Sequence, residues 1–141
     1  MDKDVKGFIE WGISEEEKAA AFYKKLAKQT KFDSAQELFK RMSTEEEKHR
    51  ELLENLDLST LNLCTLDGLG TLDWVKDLQM TPQSEFGIVK EALKLAIKKE
   101  QQAIDSYQKM ADSLKDGQYQ DLFTRLVCEE QKHKELLKKR I

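Results

Sequence analysis

The sequence predicts an all-α fold: a four-helix bundle made of two duplicated helical hairpins joined by a long crossover. Three observations carry this. Charged residues make up 36% of the 141 residues and there is a single Pro, a composition suited to solvated amphipathic helices. Apolar residues recur at three- and four-residue spacing through four separate segments. The chain also matches itself when displaced by 84 residues, with 17 of 38 positions identical and no gap, which reads as an internal duplication. Glu16 falls on Glu100, Ala19 on Ala103, Tyr23 on Tyr107, Leu38-Phe39 on Leu122-Phe123, Glu45-Glu46 on Glu129-Glu130 and Lys48-His49 on Lys132-His133.

The length is that of one domain, taken as residues 1–141. Hairpin 1 is expected over about 4–56, the crossover over about 57–80 and hairpin 2 over about 81–140. The first helix should run from near Asp4 to near Lys28, with Val5, Ile9, Ile13, Ala20, Tyr23 and Leu26 on its apolar stripe and Glu16 in the middle of it. Ser34-Ala35-Gln36-Glu37 has the pattern of a capping box opening the second helix. Leu38, Met42 and Leu53 follow at helical spacing, with Glu46 and His49 among them. Thr81 as N-cap and Pro82 as first helical residue open the third helix, whose stripe includes Leu93, Ile104 and Tyr107 and is interrupted by Glu100. Asp116-Gly117 breaks it, and the fourth helix carries Leu122, Leu126 and Leu137 with Glu130 and His133 inside the stripe. The crossover is too long for a tight turn and long enough to run the length of a bundle, with a short helical piece near Leu72 to Leu78. Such a connection makes the second and third helices parallel.

Composition excludes several functions. Net charge is −3 and the signs are mixed along the chain, so neither nucleic acid nor an anionic membrane is an expected partner. Cys64 and Cys128 form no C-x-x-C motif, which argues against a disulfide framework or a zinc ribbon. The opening Met-Asp-Lys-Asp-Val-Lys lacks the apolar stretch of a signal peptide, and no apolar run is long enough to span a bilayer. A reducing, cytoplasmic setting is the expectation.

Two Glu-x-x-His segments, Glu46 to His49 and Glu130 to His133, hold the only histidines, and a Glu precedes each by about 30 residues: Glu16 and Glu100. Residues at i and i+3 share a helix face. All six therefore point inward at mid-bundle, and one carboxylate from each of two helices plus a Glu-x-x-His from each of two more is a ligand set for two bridged metal ions. Four buried carboxylates would be costly without cations, several kcal/mol per ion, and two divalent ions remove the conflict. Oxygen-rich ligation with one imidazole per metal suits Fe or Mn, and Zn would compete for the same ligands by intrinsic affinity. The intervening Glu45, Glu47 and Glu129 read as a solvated charged face. Cys128 reads as a small core residue, Cys64 as uninformative, and Trp11, Trp74 and the phenylalanines as packing. Met42 aligns with Leu126 in the repeat, which marks it as core.

With those residues in view, the chain resembles the di-iron domain of the rubrerythrin family, within the ferritin-like superfamily. Glu16 followed by Ala19 and Tyr23 is similar to that family's first-helix signature, Glu100 with Ala103 and Tyr107 repeats it, and the two Glu-x-x-His segments match as well. The resemblance implies two Fe ions held by Glu16, Glu46, His49, Glu100, Glu130 and His133, with Glu46 and Glu130 bridging. It implies that Tyr23 and Tyr107 hydrogen-bond ligand carboxylates across the bundle. The implied activity is reduction of hydrogen peroxide or dioxygen, with a homodimer as the expected assembly. Two departures stand out. Rubrerythrins proper carry a further Glu one turn after the third-helix ligand; here that position is Ala103, so the ligand exchange it supports does not carry over. No rubredoxin module follows within these residues, so electrons are expected from a separate rubredoxin or reductase. The competing readings are a ferroxidase without reductant turnover and a non-enzymatic scaffold whose metal is structural.

Overall fold

The computed structural model describes residues 3–56, 83–115 and 117–140. Four helices account for nearly all of them: α1 (Lys3–Gln29), α2 (Asp33–Glu54), α3 (Gln83–Ser113) and α4 (Gly117–Lys138). The crossover, its short helix near Leu72 to Leu78, and the Thr81-Pro82 helix start lie outside the described residues, as do Cys64 and Trp74. None of the described helices is long and apolar enough to cross a membrane.

Cross-helix bonds give the topology. Ser43 Oγ donates to the Ala20 carbonyl at 2.8 Å, locking α2 against α1. Between α1 and α3, Tyr23 meets Glu100 and Tyr107 meets Glu16, so these helices run antiparallel. Between α2 and α4, His49 meets Glu130 and His133 meets Glu46, so these are antiparallel too. Each hairpin is itself antiparallel, hence α2 and α3 point the same way, as a long crossover requires.

The start of α2 corrects the sequence reading. Phe32, with extended φ −104 and ψ 126, occupies the N-cap and contributes no side-chain cap, while Ser34 is buried inside the first turn. The capping box is therefore not formed. Phe32 packs on the core around Leu26, Phe39 and Leu93, and that contact fixes where the helix begins. Gln36 ties the turn instead, donating its side-chain amide to the Thr30 carbonyl at 2.8 Å. Its counterpart in the repeat, Gln120, donates to the Ala111 carbonyl at 3.0 Å across the α3–α4 turn. Asp33 in the first turn of α2 and Lys28 in the last turn of α1 complement the helix dipoles.

The interior has three layers. An apolar cluster around Val5, Ile9, Leu53, Phe123 and Leu126 fills one end. A second, around Leu26, Phe39, Met42, Leu93 and Leu137, fills the other. Between them lies a buried polar layer containing Glu16, Glu46, His49, Glu100, Glu130 and His133. Met42 and Leu126 are both fully buried, in line with their pairing in the repeat.

Candidate metal centre

Each of the six polar residues at mid-bundle is at most 3% exposed. They are buried because each occupies a core-facing position on its helix, one α-helical turn from apolar neighbours on the same stripe. They resolve into two overlapping sets, Glu16, Glu46, His49 and Glu130, and Glu46, Glu100, Glu130 and His133. Within each set one ligand atom per residue lies within 4.8 Å of the others. Glu46 and Glu130 belong to both sets.

Both imidazoles aim Nδ1 into the cluster. His49 Nδ1 lies 3.0 Å from Glu130 Oε1, 3.5 Å from Glu16 Oε2 and 3.8 Å from Glu46 Oε2. His133 Nδ1 lies 2.8 Å from Glu46 Oε1, 3.6 Å from Glu130 Oε2 and 3.8 Å from Glu100 Oε1. The two rings stack with centroids 5.2 Å apart and planes within 7°. Tyr23 Oη donates to Glu100 Oε1 at 2.5 Å and Tyr107 Oη to Glu16 Oε1 at 2.9 Å, so each tyrosine holds the carboxylate of the opposite repeat. Glu16 Oε2, Glu100 Oε2 and the Nε2 atoms of both histidines have no hydrogen-bond partner among the described residues. Orphaned carboxylate oxygens beside converging imidazole nitrogens are a donor set that fits hard-to-borderline divalent ions.

The rubrerythrin family model matches residues 7–141. The chain belongs to the rubrerythrin family. No curated protein and no solved structure gives a match. Family membership and the buried Glu/His cluster together indicate a metal site.

The electrostatics of this rubrerythrin cluster in its metal-free form follow from burial and mutual proximity. Burial pulls the His49 imidazole down, but the Glu16 charge, the hydrogen bond with Glu130 and the close approach of Glu16 override it and hold it well above the ordinary value. His133 behaves alike, through Glu100 and Glu130. Burial, then the charges of Glu130, Glu16 and Glu100, push the Glu46 carboxyl well up. Burial and the Glu130 charge raise Glu100 to about 8. Glu16 and Glu130 go the other way: burial works upward on both, and the opposing contacts with His49 for Glu16, and with Glu100, His133 and His49 for Glu130, outweigh it. In the metal-free cluster the two imidazoles are thus held toward the charged form, Glu16 and Glu130 toward the carboxylate, and Glu46 and Glu100 toward the neutral carboxyl. The cluster's protons are shared by the group and do not belong to single residues.

A cavity of about 270 Å³ opens between α1 and α3 and reaches Glu16, Glu46, Glu100 and Glu130. Its walls include Trp11, Phe22, Ala19 and Ala103, and Lys18 and Lys99 are also among its lining residues. The methyl groups of Ala19 and Ala103 are the small residues of the repeat, and they leave this passage open. Trp11 stands edge-on to Tyr107 with ring centroids 5.6 Å apart, a packing role as expected.

Two readings are corrected. Glu45 and Glu129 are buried, 2% and 4% exposed, and do not lie on the solvated face; only Glu47 of the three is exposed. The apolar stripe of α2 and α4 is wide enough to take in the position before each ligand Glu. Cys128 is exposed and not in the core. Helix α4 turns its neighbours Val127 and Glu129 inward and leaves Cys128 on the outer face. One supporting residue escaped the sequence reading. A Cβ at Gly12 would stand 3.1 Å from Leu53 Cδ1 and 3.3 Å from Tyr107 Oη, so a glycine lets α1 approach the tyrosine that orients Glu16. A glycine inside a helix, costing about 1 kcal/mol against Ala, was the available signal.

Proposed function

We propose that this protein is a non-haem di-iron oxidoreductase that reduces hydrogen peroxide or dioxygen with electrons from an external donor. The observation that carries the reading is the pair of overlapping ligand sets sharing Glu46 and Glu130. Glu16 and His49 would complete one ion position, Glu100 and His133 the other. Two iron ions bound there would supply reversible redox chemistry toward a small oxidant.

The chain's own residues set the conditions for that chemistry. The phenols of Tyr23 and Tyr107 are pushed well above their ordinary values by burial and by the neighbouring Glu100 and Glu16 charges respectively, so they stay protonated. They remain donors, each fixing Oε1 of a carboxylate and leaving Oε2 for other partners. The apolar layers above and below exclude water from the ligands, which strengthens every charge interaction inside. The α1–α3 cavity gives a small oxidant its route to the carboxylate layer. A separate rubredoxin or reductase would deliver electrons, and a homodimer is the proposed assembly.

Anaerobically prepared ferrous protein, mixed rapidly with hydrogen peroxide and separately with dioxygen, tests the reading. Oxidation by either, followed by repeated turnover when a rubredoxin and its reductase are added, is the expected result. Oxidation without reductant turnover, with more than about two irons retained per chain, would favour iron handling. Inertness to both oxidants would leave a metal-stabilised scaffold.

A further inference from the structure

We propose that Glu45 and Glu129 are positioning residues for the two histidines. Each accepts the Nε2–H of the histidine one turn later on its own helix, Glu45 that of His49 and Glu129 that of His133. The contact is made directly or through one water, and it fixes the ring with Nδ1 toward the metal pair. The inference rests on the metal-centre reading above.

Four observations lead there. Nδ1 of both rings faces the carboxylate layer, so a metal-binding ring carries its proton on Nε2. Both Nε2 atoms are buried without a hydrogen-bond partner among the described residues. Glu45 and His49, like Glu129 and His133, stand at i and i+4, the spacing that brings side chains together on one helix face. Both glutamates are buried in the same layer, while the next residue out in each run, Glu47 or Gln131, is exposed. The arrangement occurs twice, once per repeat. A buried carboxylate near the free N–H of a ligating imidazole is the usual device for fixing its tautomer and raising its basicity.

Each glutamate also pairs with a lysine three residues on. Glu45 Oε1 lies 3.4 Å from Lys48 Nζ and Glu129 Oε1 3.0 Å from Lys132 Nζ. Those lysine side chains are 48% and 50% exposed, so the same pairs could form with both partners in solvent.

The test uses the full chain. Divalent-metal affinity is measured by competition with a chromophoric chelator for the wild type, Glu45→Gln, Glu129→Gln, Lys48→Met, Lys132→Met and Glu47→Gln. Metal-free melting temperature and the midpoint potential of the iron-loaded protein are recorded alongside. The Gln variants should lose about 10–100-fold in affinity and shift the potential upward, since a less basic imidazole favours the ferric state less. Glu45→Asp, which keeps the carboxylate, should recover part of the affinity. The lysine and Glu47 variants should stay within about threefold of the wild type. Gln variants with unchanged affinity and potential, or lysine variants that lose as much, overturn the inference. Should a Gln variant fail to fold, the zinc-loaded wild type decides: carboxylate-bound imidazole N–H protons resonate far downfield and exchange slowly, and their absence refutes the contact. A wild type that takes up no metal would sink the underlying reading as well, so the two failures are told apart by the first titration.

Discussion

Loading divalent ions onto the chain should expel protons near neutral pH. In the metal-free protein the surroundings favour the charged form of His49 and His133 and the neutral form of Glu46 and Glu100, the last raised to about 8. All six ligands must be deprotonated to bind metal. Protons therefore leave both the imidazoles and the raised carboxyls, and the fully deprotonated shell of four carboxylates carries −4, the charge two divalent ions cancel. Each proton displaced makes binding weaker by about 1.4 kcal/mol per unit of acidification. Apparent affinity should therefore fall about tenfold per pH unit for each proton displaced per ion. The assay is a zinc or manganese titration in weakly buffered solution with a pH indicator. Release should shrink above the Glu100 value of about 8, because that proton is then already gone. No release at pH 7, or equal release at pH 7 and well above pH 9, would refute the charge assignment.

Other outcomes follow from the same structure. The raised groups, His49, His133, Glu46 and Glu100, stabilise the metal-free fold fully below their unfolded values of 6.5 and 4.5, and that stability is lost as pH rises through their folded values. The lowered pair, Glu16 and Glu130, contributes above 4.5 and is lost in acid. Chelated protein should thus melt at a higher temperature at pH 6 than at pH 9, and a rising trend would contradict the signs. Tyr23→Phe and Tyr107→Phe each strip a buried carboxylate of a donor and should cost about 1–3 kcal/mol in denaturant unfolding of the metal-free form; no loss in either would mean the bonds at 2.5 Å and 2.9 Å are incidental. Gly12→Ala crowds Leu53 and Tyr107 and should destabilise by about 1–3 kcal/mol. Gly7→Ala meets nothing within 4 Å in the middle of a helical turn and should stabilise by roughly 0.5–1 kcal/mol, so equal signs would refute the contact.

The helices and the six inward Glu and His residues were legible because the chain states them twice, at helical period, and because histidine occurs nowhere else. The cross-bundle tyrosine bonds came from the family resemblance and are present as hydrogen bonds to Glu100 and Glu16. Glu45 and Glu129 were not legible: in a run such as Glu45-Glu46-Glu47 each residue turns about 100° from the last, and composition cannot say how wide the buried arc is. Cys128 failed for the converse reason, since a small apolar side chain between buried neighbours can still face outward. The start of α2 was misread because Phe32 packing outweighed the local Ser34–Glu37 pattern, a contact between residues distant in sequence. The family resemblance implied that Glu46 and Glu130 bridge, and with the helices placed in space both residues belong to each of the two Glu/His sets.

The central claim is that the six-residue layer holds a pair of metal ions. Anaerobic loading with ferrous iron, desalting and elemental analysis tests it most directly, alongside a variant carrying Glu46→Ala and Glu130→Ala. The account predicts about two irons per wild-type chain and close to none in the variant. Iron near zero in a wild-type protein whose helices are intact, or equal iron in both, would contradict it.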